Sequence, residues 1–204
     1  MRRQVAARGW CVKTNLCSLG GRSYISNAMK MLLLLPIILV LQTTFLHAQT
    51  LDSIRQLLRE APVISGDMLD GRDLEGRPVV LAFFASWCPP CRTEFKALNE
   101  VLKKADAPVT IIAVNLFEQE IVSGTTNVRL ARFLKTTDPQ FTVIEGGEAI
   151  AEALGGVHRI PNVFVFKSDG SLDFRFIHVI NAQKMSISAD ELLKLLGKYA
   201  DHAN

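Results

Sequence analysis

The sequence predicts an α/β fold of one domain, its elements ordered βαβ, an inserted segment, then ββα. Three observations predict it. Two apolar runs, residues 79–85 (V-V-L-A-F-F-A) and 109–115 (V-T-I-I-A-V-N), flank a helical stretch. Strands buried on both faces read this way, and strand, helix, strand over ~30 residues forms a βαβ unit. Two further strands, 162–166 and 172–180, are joined by Ser168-Asp169-Gly170, a hairpin turn of the Asp-Gly kind. Last comes a helix with Ser188 as N-cap and Glu191 three residues on, a capping box, with Leu192, Leu193, Leu195 and Leu196 as its docking face.

The other elements follow in order. Leu51, Ile54, Leu57 and Leu58 have helical spacing over 51–60, which stops at Ala61-Pro62. Residues 62–78 are rich in Gly, Asp and Arg and read as turns or a short hairpin. The βαβ helix spans 89–104, with Pro89 suited to a first turn. In the polar insert, 118–140, one helix is expected over 128–135. A short strand at 141–144 and a short helix at 148–154 come next, the helix ended by Gly155-Gly156. A chain of 204 residues accommodates one such domain, and it shows no internal repeat.

The formal charge of +3 misleads about partners. Residues 1–48 hold Arg2, Arg3, Arg8, Lys13, Arg22 and Lys30 and no acid, so the remainder carries 17 basic against 20 acidic residues, a net −3. No basic patch with interleaved aromatics argues for nucleic acid. The first 48 residues read as an export leader: Lys30, the apolar run 32–41, then Leu46-His47-Ala48 at the cut. That run falls short of the ~20 residues a bilayer crossing needs. Cleavage is expected near Ala48, with retention as an N-terminal anchor the alternative. Met29 is a candidate true start, which makes residues 1–28 an over-extended beginning. Residues 49–204 are then one exported domain, in a periplasm or cell envelope.

Of four cysteines, Cys11 and Cys17 leave with the leader, and Cys88 and Cys91 remain. A disulfide closing so short a span removes little chain entropy, so chemistry rather than stapling is expected of the pair. Trp87-Cys88-Pro89-Pro90-Cys91 lies where a buried strand meets a helix N-terminus. Unpaired N–H groups and the macrodipole favour negative charge there, so Cys88 should be the thiolate-like sulfur. Cys91, a turn deeper, should act second, resolving a mixed disulfide and leaving Cys88–Cys91 oxidised. Pro89 and Pro90 restrict the backbone between the sulfurs. A bare C-x-x-C is also half of a zinc site, but residues 49–204 offer no second ligand pair, and no metal or other cofactor is expected.

Glu94 sits at the edge of the apolar stripe Cys91, Phe95, Leu98, Leu102, where a carboxylate is reluctant to ionise and can exchange protons with Cys91. The plain alternative is a solvated helix glutamate. At Ile160-Pro161, just before a strand, the residues alone favour a turn-forming trans proline.

Pro78 to Leu102, with W-C-P-P-C-R-T-E, together with I-P-N-V-F-V-F-K-S-D-G, resembles the exported thioredoxin-like disulfide reductases of the TlpA/ResA type. The resemblance covers roughly residues 62–200. It implies a thioredoxin fold, a central mixed sheet flanked by helices. It implies that Pro161 is a cis-proline packed on the active-site disulfide, with the Ile160 backbone pairing to an extended substrate. It also implies a catalytic Glu94, disulfide-containing protein substrates (apocytochrome c among them) and a membrane thiol-electron donor. Thioredoxin carries a buried Asp six residues before its first cysteine; here that residue is Ala82. Two other functions compete. A peroxiredoxin-like thiol peroxidase wants Thr and Pro where this chain has Ala85 and Leu81, and a non-enzymatic binding module leaves the cysteine pair incidental.

Overall fold

The computed structural model describes residues 50–118 and 126–200; the leader expectations lie outside the described residues. The described residues build one mixed sheet of six strands in the order β1-β4-β3-β2-β5-β6. In chain order these are β1 (Val63–Ser65), β2 (Val79–Phe84), β3 (Thr110–Asn115), β4 (Thr142–Ile144), β5 (Asn162–Phe166) and β6 (Leu172–Ile177). The helices are α1 (Arg55–Glu60), α2 (Pro89–Lys104), α3 (Thr126–Thr137), α4 (Gly147–Ala153) and α5 (Ala189–Ala200). Helix α2 packs against α5 and α3, and α1 against α4, so helices flank the sheet.

Strand β2 organises the sheet. Each of its six residues is buried. It pairs parallel with β3 (Phe84 opposite Asn115) and antiparallel with β5 (Phe83 opposite Asn162). The continuous apolar run is therefore a strand covered on both faces. Beneath α2 lies an aromatic cluster: Phe95 is 4.6 Å from Phe84, 4.9 Å from Phe133 and 5.2 Å from Phe141 between ring centroids. At α5 the capping box forms. The Ser188 N–H donates to Glu191 Oε2 at 3.1 Å, and the Glu191 N–H donates to Ser188 Oγ at 3.3 Å.

Three expectations are corrected. Residues 51–60 are not one helix. A 3-10 turn, Leu51–Ser53, precedes α1: the Ser53 and Ile54 N–H groups donate three residues back, to Thr50 O at 3.2 Å and Leu51 O at 3.1 Å. Residues 62–78 form no hairpin; β1 pairs antiparallel with β4, Val63 opposite Ile144, a partner some eighty residues away. Strand β6 stops at Ile177, three residues early. The chain turns there, with the Ala182 N–H donating to Val179 O and Asn181 at φ 65°, and Ile180 is left 66% exposed.

Replacing Phe95 with Ala should lower stability by about 3–5 kcal/mol, because the void opens among three fixed rings. Urea unfolding measures it; a loss under about 1 kcal/mol would show that the cluster repacks freely.

Candidate active site

Strand β2 delivers the chain into residues 85–87, and α2 starts at once. Cys88 is the N-cap of α2 (φ −84°, ψ 108°), and Pro89 and Pro90 fill its first two positions. Prolines supply no N–H, so the donors of the first helical turn begin at Cys91. Cys88 and Cys91 are joined by a disulfide with Cα atoms 5.4 Å apart. Cys91 is fully buried, and Cys88 keeps 3% exposure. Both cysteines are therefore buried, and Cys88 is far less open than the sequence suggests. The next turn of its helix faces the core, and the N-cap side chain is drawn into the same buried cluster.

Glu94 lies inside the stripe rather than at its edge. It has no exposure, and neither carboxyl oxygen has a hydrogen-bond partner among the described residues. Burial raises its pKa to about 8, and the Ile187 backbone N–H opposes this without closing a hydrogen bond. At neutral pH the group is mostly an un-ionised acid, one helical turn beyond Cys91. Ala82 is buried between Ala113 and Val163, so the buried carboxyl here comes from the helix and not from the strand.

A clamp that the sequence reading missed holds the reactive loop. The Ser86 N–H donates to Glu118 Oε2 at 2.8 Å, and the Ser86 hydroxyl donates to Glu118 Oε1. Asn115 Nδ2 donates to Glu118 Oε2 at 2.9 Å. The Trp87 indole N–H donates to Phe117 O at 2.8 Å, with Phe117 in the left-handed region at φ 63°. The Cys88 N–H donates to Ala85 O at 3.2 Å. The usable signal was topological: parallel β2 and β3 end side by side, and sites in α/β sheets collect at such carboxyl ends.

The Ile160–Pro161 peptide is cis, against the reading from the residues alone. The Pro161 carbonyl accepts the His178 N–H at 3.0 Å. A groove of about 360 Å³ is lined by Trp87, Ile160, Phe117, His158, Arg159, His178 and Ile180, so two of the expected supporting residues share one surface. A larger cavity, about 950 Å³, lies among Arg77, Lys104, Pro108 and Tyr199 and holds none of the expected site residues. Among the described residues no three His, Cys, Asp or Glu side chains cluster as metal ligands.

The buried carboxyl predicts a pH dependence. The native carboxyl keeps its proton up to about pH 8, whereas the unfolded chain releases it near 4.5. The native state thus binds the extra proton between those values, and stability falls as pH rises through the window. Relative to Glu94→Gln, the wild type should lose up to about 1.4 kcal/mol per pH unit there. Parallel urea-unfolding curves for the two proteins from pH 5 to 8 would contradict the assignment.

Residues 60–175 match the AhpC/TSA family. Thiol-disulfide oxidoreductase ResA of Bacillus thuringiensis subsp. konkukian is 30% identical over 134 residues, 64% of this chain and 70% of ResA. The soluble secreted antigen MPT53 of Mycobacterium tuberculosis is 27% identical over 132 residues, 65% of this chain and 69% of MPT53. The crystal structure of a secreted Mycobacterium tuberculosis disulfide oxidoreductase, described as homologous to Escherichia coli DsbE, superposes with a TM-score of 0.52. It is 25% identical and covers 71% of this chain and 98% of that one. The chain belongs to the AhpC/TSA family, with the thioredoxin fold and the cysteine pair of a thiol–disulfide oxidoreductase.

Proposed function

We propose that the chain is an exported protein-disulfide reductase whose working groups are Cys88, Cys91 and Glu94. The observation that supports the reading is the Cys88–Cys91 disulfide at the N-terminus of α2, with Cys88 the N-cap residue. In the reduced protein the Cys88 thiolate attacks one sulfur of a substrate disulfide. A mixed disulfide forms and the other substrate sulfur leaves as a thiolate that takes up a proton. Cys91 then loses its proton, to water or to the minor ionised fraction of Glu94, and attacks Cys88. The Cys88–Cys91 bond closes, and the second substrate sulfur leaves as a thiol. Two electrons and two protons pass to the substrate, and an external dithiol must return them.

Trp87, Pro89, Pro90, Ile160 and Pro161 support the site by shaping its surface and holding the substrate chain. The leader, residues 1–48, serves export with cleavage near Ala48, leaving residues 49–204 as one domain. The description of the similar MPT53 as secreted supports this, as does the contact unit spanning residues 48–204. A periplasm or cell envelope is the compartment, a membrane thiol protein the electron source, and apocytochrome c a candidate substrate. Ala85 and Leu81, both buried, stand where a peroxidase would want Thr and Pro, and nothing in the site favours that reading.

The trap variant tests the proposal. Cys91→Ala in the full chain should accumulate mixed disulfides through Cys88 with disulfide-containing proteins, separable on non-reducing gels and reversed by dithiothreitol. Cys88→Ala should accumulate none by this route, and neither variant should turn over insulin. Trapping through Cys91 in place of Cys88, or turnover by Cys88→Ala, would refute the assigned order.

A further inference from the structure

Resting on the reductase reading, the groove beside the disulfide carries a statement about substrate. Two of its lining residues adjoin the active site in the chain: Trp87 precedes Cys88, and Ile160 precedes Pro161. A substrate chain that brings a cystine to Cys88 has this groove as the adjoining concave surface. Trp87, Ile160 and Ile180 give it apolar walls, and Ile180 is 66% exposed.

Among the described residues its lining carries one formal charge, that of Arg159. Arg159 is exposed and has no ion-pair partner among the described residues. His158 is exposed on the same lining, and His178 lies on it too. The His158 ring is seated over Gly156, where an added Cβ would lie 2.8 Å from Nε2, so the missing side chain makes room for the ring at that place. No acidic residue lines the groove among the described residues. Glu118 follows the lining residue Phe117, but its carboxylate is already engaged by Ser86 and Asn115.

We propose that this groove selects an extended protein segment with a carboxylate side chain next to its cystine, read by Arg159 with His158 and His178, and with apolar neighbours on Trp87, Ile160 and Ile180. A guanidinium with no ion-pair partner among the described residues gains from a carboxylate and repels a basic flank, and such charge matching acts mainly on the association rate. Apolar walls suit a peptide segment better than a small, fully polar anion.

The test uses the reduced full chain at low salt and two peptides that differ only in carrying Glu or Lys on both sides of an internal cystine. Each rate is divided by that of the same peptide with dithiothreitol, which removes intrinsic reactivity. Hydroxyethyl disulfide serves as a neutral reference and oxidised glutathione as a small anionic one. The Glu peptide should react about tenfold faster than the Lys peptide. The preference should shrink towards unity at 1 M salt and reverse in Arg159→Glu. Equal normalised rates, or a preference that Arg159→Glu leaves unchanged, overturn the proposal. Oxidised glutathione matching the Glu peptide overturns the extended segment. Failure to reduce even hydroxyethyl disulfide sinks the reductase reading itself, a result distinct from all of these.

Discussion

The burial of β2 on both faces is the constraint from which the site follows. A strand held between β3 and β5, with no residue facing water, has one place to release the chain: its carboxyl end. Residues 85–87 leave there under the clamp of Glu118 and Phe117, and α2 begins with its N-cap at Cys88. The cysteine pair thus occupies the point of the fold where a helix N-terminus favours an anionic sulfur. The two prolines hold the chain between the sulfurs in the first turn without competing donors.

The inner face of α2 has two incompatible tasks. It packs Phe95 among three rings, and it also buries Glu94 with no hydrogen-bond partner among the described residues. An unsatisfied buried polar group costs about 1–3 kcal/mol. Removing a buried aromatic costs about 3–5 kcal/mol, so the cluster is large enough to hold the helix in place regardless. A carboxyl whose pKa is raised by burial, one helical turn from Cys91, is of the kind that collects at functional sites. Thioredoxin's strand acid is replaced by Ala82, and the helix supplies the carboxyl one turn after Cys91.

What the sequence made legible was local or periodic. The bounds of α2 followed from Pro89 and from the apolar stripe, and the capping box at Ser188 marked the start of α5. The cysteine pair declared itself by spacing. What stayed hidden needed partners distant in the chain. Val63 finds Ile144, and Glu118 finds Ser86 across the parallel strand ends, and neither pairing leaves a periodic trace. Val179 and Ile180 misled in the opposite direction: their apolar character suggested strand, yet they are exposed beside the groove. The depth of Cys88 was illegible for a related reason, because exposure at an N-cap depends on what the following turn buries.

The order of the two sulfurs is the centre of the account, and residue-resolved alkylation of the reduced full chain measures it most directly. Iodoacetamide labelling across pH, read by peptide mass spectrometry, should modify Cys88 first with a midpoint below the ordinary thiol value of about 8.5, and Cys91 far more slowly. Labelling of Cys91 first, or of both at equal rates, would contradict it.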